Sequence, residues 1–346
     1  MRVRTKLKLR SYYQISETYR IEGRLNMSSC VTRHPGNPVM SADRMPYPAT
    51  LIFNAGVAKF HGKYVMVFRN DYGGQPGSNR FEGTNIGVAY SSDGVRWEPS
   101  PKPWISWKTD EIGRAYDPRI TVIDGRCYLC FAVDTKHGIR GGIAVTDDFD
   151  SFEVMSLSAP DNRNMVLFPE RLNGKFMRLE RPFSIYGRRG APDNFDLWFS
   201  DSHDCSYWGN TQLVLGSEQV PWSNAKIGPG APPVKTRAGW LTAFHAVTTD
   251  KSKELPAWHK GWHKTYTIGI MLLDLEKPWK IIGMSREPLM VPTADYELNG
   301  FRGHVLFPGG MILEPNGEVK IYYGAADTAE CMATAHVDDL IALCQS

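Results

Sequence analysis

The chain has 346 residues, more than one compact core usually holds, so its length allows two ordinary domains or one large closed β architecture. Hydrophobic residues make up 42% and aromatic residues 12%, with 32 Gly and 23 Pro, which excludes disordered, collagen-like and coiled-coil chains. The 40 Lys and Arg against 37 Asp and Glu leave a net charge of +3, too even to indicate nucleic acid or an anionic membrane as a partner.

The N-terminal segment and the cysteines bear on the cellular compartment. The first ten residues alternate basic and apolar side chains without the apolar core of a secretory signal, and no stretch reaches the length of a transmembrane helix. The six cysteines are scattered, which predicts a reducing cytoplasm rather than a disulfide scaffold. Cys127 and Cys130 form a C-x-x-C, but strand periodicity places them on opposite faces and disfavours a zinc or redox site.

An internal repeat organises the chain. Five segments, at intervals of about 50 to 80 residues, begin with a turn glycine that leads into an apolar strand with a polar end. The repeat glycines are Gly62, Gly125, Gly174, Gly239 and Gly317. A second repeat, in which a strand meets a Ser/Asp turn and then an aromatic residue, indicates an outer hairpin. It occurs at residues 87–98, 142–153 and 197–209.

Five such sheets cannot each bury both faces alone, and radial stacking around an axis solves that problem. We therefore predict an all-β fold, a five-bladed β-propeller with a central active-site funnel. Residues 42–346 are expected to form this single domain, residues 1–41 an N-terminal arm packing on it, and the tail from His336 a helix. The Gly-Pro-Gly at 228–230 and the Gly pair at 309–310 are expected to be turns.

Polar side chains at the ends of the glycine-led strands differ from unit to unit. If these strands line the funnel, the polar ends should converge on one mouth and form a site assembled one piece per blade. The alternative is that they are rim residues paired with each other. They are Arg69, Asn70, Asp71, Asp134, Arg181, His245 and Asp327.

Asp117 is the candidate general acid. It directly precedes Pro118, whose ring favours an extended backbone at Asp117, and a partly desolvated carboxyl here could donate a proton. The alternative is an Asp-Pro turn in which the carboxylate binds local backbone amides.

A second cluster is cationic. Arg163, Arg181, Lys226 and His245 come from consecutive blades and would face one another as an oxyanion site. Each of them, considered alone, is more simply a solvated surface residue.

The order of motifs along nearly the whole chain resembles glycoside hydrolase family 130, the inverting β-mannoside phosphorylases. The motifs are HPGNPV at 34–39, FNAGV at 53–57, FRND at 68–71, YDPR at 116–119, NRN at 162–164 with FP at 168–169, ERP at 180–182, KIG at 226–228, the His245 strand, and YYGAADT at 322–328.

The resemblance implies both the fold and the chemistry. It implies a five-bladed propeller in which Asp117 is the proton donor, acting through a sugar hydroxyl, while inorganic phosphate attacks the anomeric carbon from the opposite face. Phosphate is already an anionic nucleophile, so it needs cations rather than the second carboxylate of an inverting hydrolase. The implied phosphate-binding residues are Arg163, Arg181, Lys226, His245 and Tyr266, and the implied mannosyl-binding residues are Asn54, Arg69, Asp71 and Asp327.

The expected reaction is reversible phosphorolysis of β-1,2- or β-1,4-linked mannobiose or mannooligosaccharides to α-D-mannose 1-phosphate, with phosphate as co-substrate and no metal or organic cofactor. The resemblance also makes a homo-oligomer possible. Three alternatives stay open: a β-mannoside hydrolase of the same family, an arabinosidase-like propeller with paired carboxylates, and a non-catalytic sugar-binding propeller. Acceptor choice is expected to depend on the loops at 258–263 and 296–304, whose aromatic, His and Arg residues suit sugar stacking.

Overall fold

The computed structural model describes residues 28–184 and 194–346. The first 27 residues of the predicted N-terminal arm lie outside the described residues. Strand β1 (Thr32–Arg33) comes first along the described chain and is followed by five antiparallel sheets, the blades.

The blades follow one another along the chain. Blade 1 consists of β2 (Leu51–Phe60), β3 (Lys63–Tyr72), β4 (Gly83–Ser91) and β5 (Glu98–Pro99). Blade 2 consists of β6 (Ile112–Ile123), β7 (Arg126–Thr135), β8 (Gly138–Thr146) and β9 (Glu153–Leu157). Blade 3 consists of β10 (Asn162–Leu167), β11 (Phe176–Pro182), β12 (Leu197–Ser202) and β13 (Gly209–Leu215). In blade 4, β14 (Ile227–Pro229) and β15 (Val234–Lys235) both pair with β16 (Trp240–Thr249), which is followed by β17 (Lys264–Leu273) and β18 (Ile281–Met284). Blade 5 consists of β19 (Leu306–Leu313), β20 (Glu318–Ala325), β21 (Ala329–His336) and β1.

Helices are short in the described part of the chain. Two 3-10 turns span Ala42–Arg44 and Ser217–Gln219, and helix α1 spans Asp295–Leu298. Helix α2 covers Val337–Gln345, which confirms the predicted helical tail. None of the helices in the two described ranges has the length and apolar character that a membrane crossing requires.

The repeat glycines open the second strand of each blade. Gly62, for example, has φ +77° in the tight turn between β2 and β3, a conformation that glycine adopts without steric cost. The five-bladed fold is therefore confirmed, but the glycine-led strands are not the innermost ones. Of their polar ends, Arg69 and Arg181 line the axial cavity from the second strand of a blade. Asp134 instead accepts from Arg114 at 2.7 Å, and Asn70 donates to Asn85 at 3.0 Å.

The second repeat is the outer hairpin, as predicted. At its turn in blade 1, the hydroxyl of Ser91 accepts from the backbone N–H of Gly94 at 2.9 Å, and Asp93 Oδ1 accepts from Val95 and Arg96. Thr146 with Asp148, and Ser202 with Asp204, make the same turn in blades 2 and 3. The Ser/Thr and Asp residues recur because their side chains satisfy the backbone amides of the turn.

Hydrophobic core fills the space between each pair of neighbouring blades. Cys127 and Cys130 lie on opposite faces of β7, in the clusters that join blade 2 to blade 1 and to blade 3 respectively, and both are free thiols. Opposite faces are what strand periodicity predicts, and this geometry keeps the two sulfurs apart.

The innermost strands approach one another closely at the axis. A Cβ added at Gly309, which lies in β19, would stand 1.9 Å from the carbonyl oxygen of Ala55 in β2. Gly228 and Pro229 belong to β14. The expectation that both glycine-containing segments are turns is therefore wrong, because these glycines allow strand-to-strand contact rather than a reversal of the chain.

Blade 5 is closed by β1, the first strand of the described residues. Thr32 pairs with Thr334 and Arg33 with Ala333. Arg33 also forms a bidentate ion pair with Glu297, at 2.7 and 2.9 Å, which ties β1 to helix α1.

Candidate active site

One end of the axis holds a polar cavity whose walls come from all five blades. Its lining includes Asn54 and Arg69 from blade 1, Asp117 from blade 2, Arg163, Asn164 and Arg181 from blade 3, Lys226 and Tyr266 from blade 4, and Arg302, Phe307 and Asp327 from blade 5 or the loop before it.

Bulges in the innermost strands aim three of these side chains. The pairing register shifts between Phe53 and Gly56 in β2, between Tyr116 and Arg119 in β6, and between Arg163 and Val166 in β10. Within the bulges Asn54, Asp117 and Asn164 have φ of 55°, 52° and 59°, the left-handed region that Asn and Asp tolerate best. A bulge redirects a side chain out of the regular alternation, here toward the cavity.

The backbone of Asp117 is therefore left-handed rather than extended, and the expectation from Pro118 is wrong. Its Oδ1 accepts from Asn54 Nδ2 at 3.0 Å and from Arg69 Nη1 at 3.4 Å, and both donors lie on the neighbouring blade rather than in a local turn. Burial acts to raise the pKa of Asp117, but Arg69, Arg163 and the Asn54 amide together outweigh it and lower the pKa below its ordinary value.

Arg69 lines the cavity, whereas Asp71 lies behind it. Asp71 is wholly buried, accepts from Arg69 at 2.7 and 3.0 Å, and accepts from the hydroxyl of Thr84 at 2.6 Å. Asp71 is not among the residues that line the cavity, and its contacts hold Arg69 in place; its role in binding the mannosyl unit stays a prediction.

Three predicted cations, Arg163, Arg181 and Lys226, do meet in the cavity. Arg163 Nη1 donates to the hydroxyl of Tyr116 at 3.3 Å. Burial, with the neighbouring charge of Arg163, lowers the pKa of Arg181 to about 9. The Nε atoms of both arginines are buried and have no hydrogen-bond partner among the described residues. Converging cations with unused donors suit an oxyanion.

His245 is the exception among the predicted cations. It is wholly buried behind the cavity wall, and Arg181 Nη1 lies 2.8 Å from its Nε2. Burial, followed by the charges of Arg181 and Lys226, lowers the pKa of His245 well below its usual value, so the ring is neutral. A neutral ring accepts the Arg181 proton at Nε2, and His245 therefore orients Arg181 rather than adding a charge.

Tyr266 lies at the wall beside these groups. Its ring stacks on that of His245, with the centroids 6.1 Å apart, and Lys226 Nζ lies 5.8 Å from the ring centre. Burial raises the pKa of the Tyr266 phenol, which keeps its proton available for donation to a ligand.

Asp327 is the second carboxyl group of the wall. Arg302 Nη1 donates to its Oδ2 at 3.2 Å, yet burial raises the pKa of Asp327 more than Arg302 and Arg69 lower it. Arg302, Phe307 and Asn164 were not among the predicted site residues. Arg302 lies within the predicted acceptor loop and Asn164 within a quoted motif, but Phe307 has no polar signal in the sequence.

A larger apolar cavity of about 360 Å³ opens toward the other ends of the same innermost strands, with Val57, Ile120 and Met311 in its wall. It holds none of the carboxyl groups named above, so the smaller polar cavity is the candidate active site. Across residues 28–184 and 194–346, no group of three or more His, Cys, Asp or Glu side chains is arranged to hold a metal ion.

Fold and cavity together define a propeller enzyme that places a carboxyl group beside a cluster of cations. The family model described as beta-1,4-mannooligosaccharide phosphorylase matches residues 19–346. The chain belongs to this family, glycoside hydrolase family 130, as its motifs predicted.

Individual relatives agree with this assignment. The chain is 32% identical to a beta-1,4-mannooligosaccharide phosphorylase of Ruminococcus albus, over 90% of each chain. It is 29% identical to a beta-1,2-mannobiose phosphorylase of Listeria innocua, over 74% of this chain and 67% of the relative. A solved structure of a beta-1,2-mannobiose phosphorylase from Listeria innocua, in complex with beta-1,2-mannobiose, superimposes with a TM-score of 0.79 at 24% identity, covering 91% and 99% of the two chains. That similarity supports the propeller fold.

Proposed function

We propose that the chain catalyses reversible, inverting phosphorolysis of β-mannosides to α-D-mannose 1-phosphate and a shortened acceptor. The observation that carries this proposal is the shared cavity of Asp117 and the cations Arg163, Arg181 and Lys226. A proton donor and an anion site in one small cavity are the two requirements for cleaving a glycosidic bond with phosphate as the nucleophile.

In this scheme Asn54 and Arg69 orient Asp117, which delivers its proton through a sugar hydroxyl to the leaving oxygen. The arginines and Lys226 hold phosphate by charge-assisted hydrogen bonds, and the Tyr266 phenol adds a neutral donor. Fixing phosphate and the mannosyl unit in one cavity lowers the barrier by organising the geometry of attack. Asp327, held by Arg302, is available to bind sugar hydroxyls.

The pKa of Asp117 supports phosphate as a partner in catalysis. Arg69 and Arg163 lower that pKa, so at neutral pH the carboxyl is ionised and cannot donate. An anion bound to Arg163 offsets part of the positive field and raises the pKa of Asp117. Phosphate therefore acts as nucleophile and also favours the protonated acid.

Hydrolysis is the second candidate, since Asp327 places another carboxyl in the same cavity. An inverting hydrolase uses one carboxyl as acid and another as the base that activates water. Asp327 is paired with Arg302, however, and the nucleophile's place is surrounded by cations, so we favour phosphate over water.

Phosphate dependence tests the proposal directly. The purified chain is incubated with β-1,4- and with β-1,2-mannobiose, with and without phosphate, and the sugar products are measured by NMR. We expect α-mannose 1-phosphate to form only when phosphate is present. Free mannose released at the same rate without phosphate would show a hydrolase instead.

The linkage is tested by running the reaction in reverse. The relatives named above include enzymes for both β-1,4- and β-1,2-linked mannosides. Synthesis from α-mannose 1-phosphate with mannose, glucose or N-acetylglucosamine as acceptor, followed by NMR of the product, identifies both the linkage and the acceptor. Size measurement in solution determines whether the chain forms a homo-oligomer.

A further inference from the structure

A buried carboxyl group outside the cavity, Glu330 of β21, has no role in the scheme above. It is wholly buried, and its Oε2 accepts from the backbone N–H of Ala55 at 3.1 Å. Its Oε1 has no hydrogen-bond partner among the described residues. Burial of a carboxyl is unfavourable unless its polar atoms form hydrogen bonds, and the hydrogen bond from Ala55 is the one that Glu330 makes with its side chain among the described residues.

That contact involves the bulge of β2. The N–H of Ala55 and the carbonyl of Asn54 belong to one peptide group, and Arg119 Nη1 donates to this carbonyl at 2.9 Å. The Asn54–Ala55 peptide is therefore held at its N–H by Glu330 and at its oxygen by Arg119. A peptide bonded at both polar ends cannot rotate without breaking a buried hydrogen bond.

The held peptide sets the direction of the Asn54 side chain. Asn54 has a left-handed backbone, and its Nδ2 donates to Asp117 Oδ1 at 3.0 Å. The surroundings leave little space for another arrangement, because a Cβ at Gly324 would stand 2.6 Å from Asn54 Oδ1. The contacts run in one line from Glu330 through the peptide and the Asn54 amide to the candidate acid.

We propose that Glu330 is a positioning residue: by accepting from Ala55 N–H it fixes the Asn54–Ala55 peptide, and through Asn54 it orients the Asp117 carboxyl. It acts through Asn54 and does not touch the substrate. This inference rests on the proposed phosphorylase function.

The hydrogen bond that Glu330 accepts from Ala55 depends on the length of the Glu330 side chain rather than on its charge. Burial acts most strongly on Glu330, followed by the Ala55 amide from β2 and the charge of Arg119 from β6, while the Cys331 thiol lies beside it on the same strand. Burial raises the pKa of Glu330 to about 8, so at neutral pH most of the side chain is a neutral acid that still accepts at one oxygen. A glutamine reproduces that neutral acceptor, whereas an aspartate keeps the acid but is one methylene too short.

The test compares Glu330→Gln with Glu330→Asp by phosphorolysis kinetics at pH 7. We expect Glu330→Gln to keep kcat within about threefold of the unsubstituted chain, and Glu330→Asp to lose about 10–100-fold, since small misplacements of catalytic groups have effects of this size. KM for phosphate should stay within about twofold, because the cation cluster is untouched.

A double-mutant cycle tests whether Glu330 acts through Asn54. Asn54→Gly removes the amide but keeps the left-handed backbone accessible. If Glu330 works only by orienting that amide, adding Glu330→Asp to Asn54→Gly lowers kcat no further. The control is Glu314, a carboxyl paired with Lys59 and Lys320 and remote from the cavity, where both the Gln and the Asp variants should keep kcat.

Three results overturn the inference: unchanged kcat in Glu330→Asp, an equal loss in Glu330→Gln, or losses that multiply in the double variant. Melting temperatures of all variants are measured in parallel, so that a loss of folded protein is separated from a loss of turnover. If the unsubstituted chain shows no phosphorolysis of any β-mannoside, the proposed function fails. Turnover by the unsubstituted chain together with full activity of Glu330→Asp contradicts only the positioning role.

Discussion

Asp117 shares the cavity wall with a second carboxyl group, Asp327, and a single substitution tests whether Asp117 is the acid. Asp117→Asn keeps the hydrogen-bond acceptor for Asn54 but removes the transferable proton. Since general acid catalysis contributes about 10²–10⁴-fold, we expect kcat of phosphorolysis to fall by that factor while the melting temperature is preserved. Asp124→Asn, in the exposed turn after β6, is the matched control and should keep full activity. Retained activity in Asp117→Asn would exclude it as the proton donor.

Protonation of Asp117 should be coupled to phosphate binding. Arg69 and Arg163 lower its pKa, so near pH 7 the carboxyl carries no proton, and a bound anion raises the pKa. Phosphate binding therefore takes up protons at Asp117. Calorimetric titration in buffers of different ionisation enthalpy measures this uptake, and the unsubstituted chain should take up more protons than Asp117→Asn. Equal uptake by the two proteins would contradict the coupling.

At the scale of residues, motif order in the sequence is sufficient to nominate most of the cavity wall. It does not distinguish the residues that line the cavity from those that hold them in place. Asp71 and His245 are polar residues of the expected type, yet each lies behind an arginine and binds it. The reason is local for Asp71, because it lies two residues from Arg69 on the same face of β3 and binds that arginine. A search for polar residues at strand ends could not find Phe307, because its side chain is an apolar aromatic ring.

At the scale of elements, one side chain joins the innermost strands. Arg119 is buried and donates to the carbonyls of Asn54 at 2.9 Å, Pro118 at 2.7 Å, Gly230 at 2.8 Å and Pro308 at 3.1 Å. These oxygens come from four different blades. Arg119 is thus a central cross-link, and it occupies the axis between the two cavities.

Replacing Arg119 should destabilise the whole propeller. Arg119→Met leaves four buried carbonyls without their donor, and we expect the free energy of unfolding to fall by roughly 3–5 kcal/mol. Urea denaturation measures the change. Arg96→Met removes an arginine whose side chain is 90% exposed and should cost less than about 1 kcal/mol. Similar losses in the two variants would contradict the axial role.

Local sequence patterns predict the strands and turns more readily than they predict the position of each strand in its blade. Glycine turns and the Ser/Asp hairpins repeat because turns need those residue types whatever the surroundings. The repeats therefore predict the number of blades. They cannot show that the glycine-led strand is second from the axis, since the innermost strands carry bulges and glycines that interrupt any regular pattern.

At the scale of the molecule, the ring is closed by contacts between distant parts of the chain. Arg33 of β1 pairs with Glu297, whose carboxylate is wholly buried and also accepts from the hydroxyl of Tyr323 at 2.9 Å. Arg33→Met leaves this carboxylate without its cation, and we expect a loss of roughly 3 kcal/mol in unfolding free energy. Chemical denaturation measures it, with Arg237→Met, at an exposed ion pair, as the control. An effect no larger than the control's would show that closure does not depend on this pair.

The closing strand also bears on how the protein is made. Because β1 precedes every other described strand and its partner β21 is the last, the ring stays open while the intervening chain emerges from the ribosome. The cavity takes side chains from each blade, so a nascent chain that lacks blade 5 has no Asp327 or Phe307 in its wall. Catalytic competence is thus acquired in one late step, when β21 pairs with β1 and blade 5 is complete.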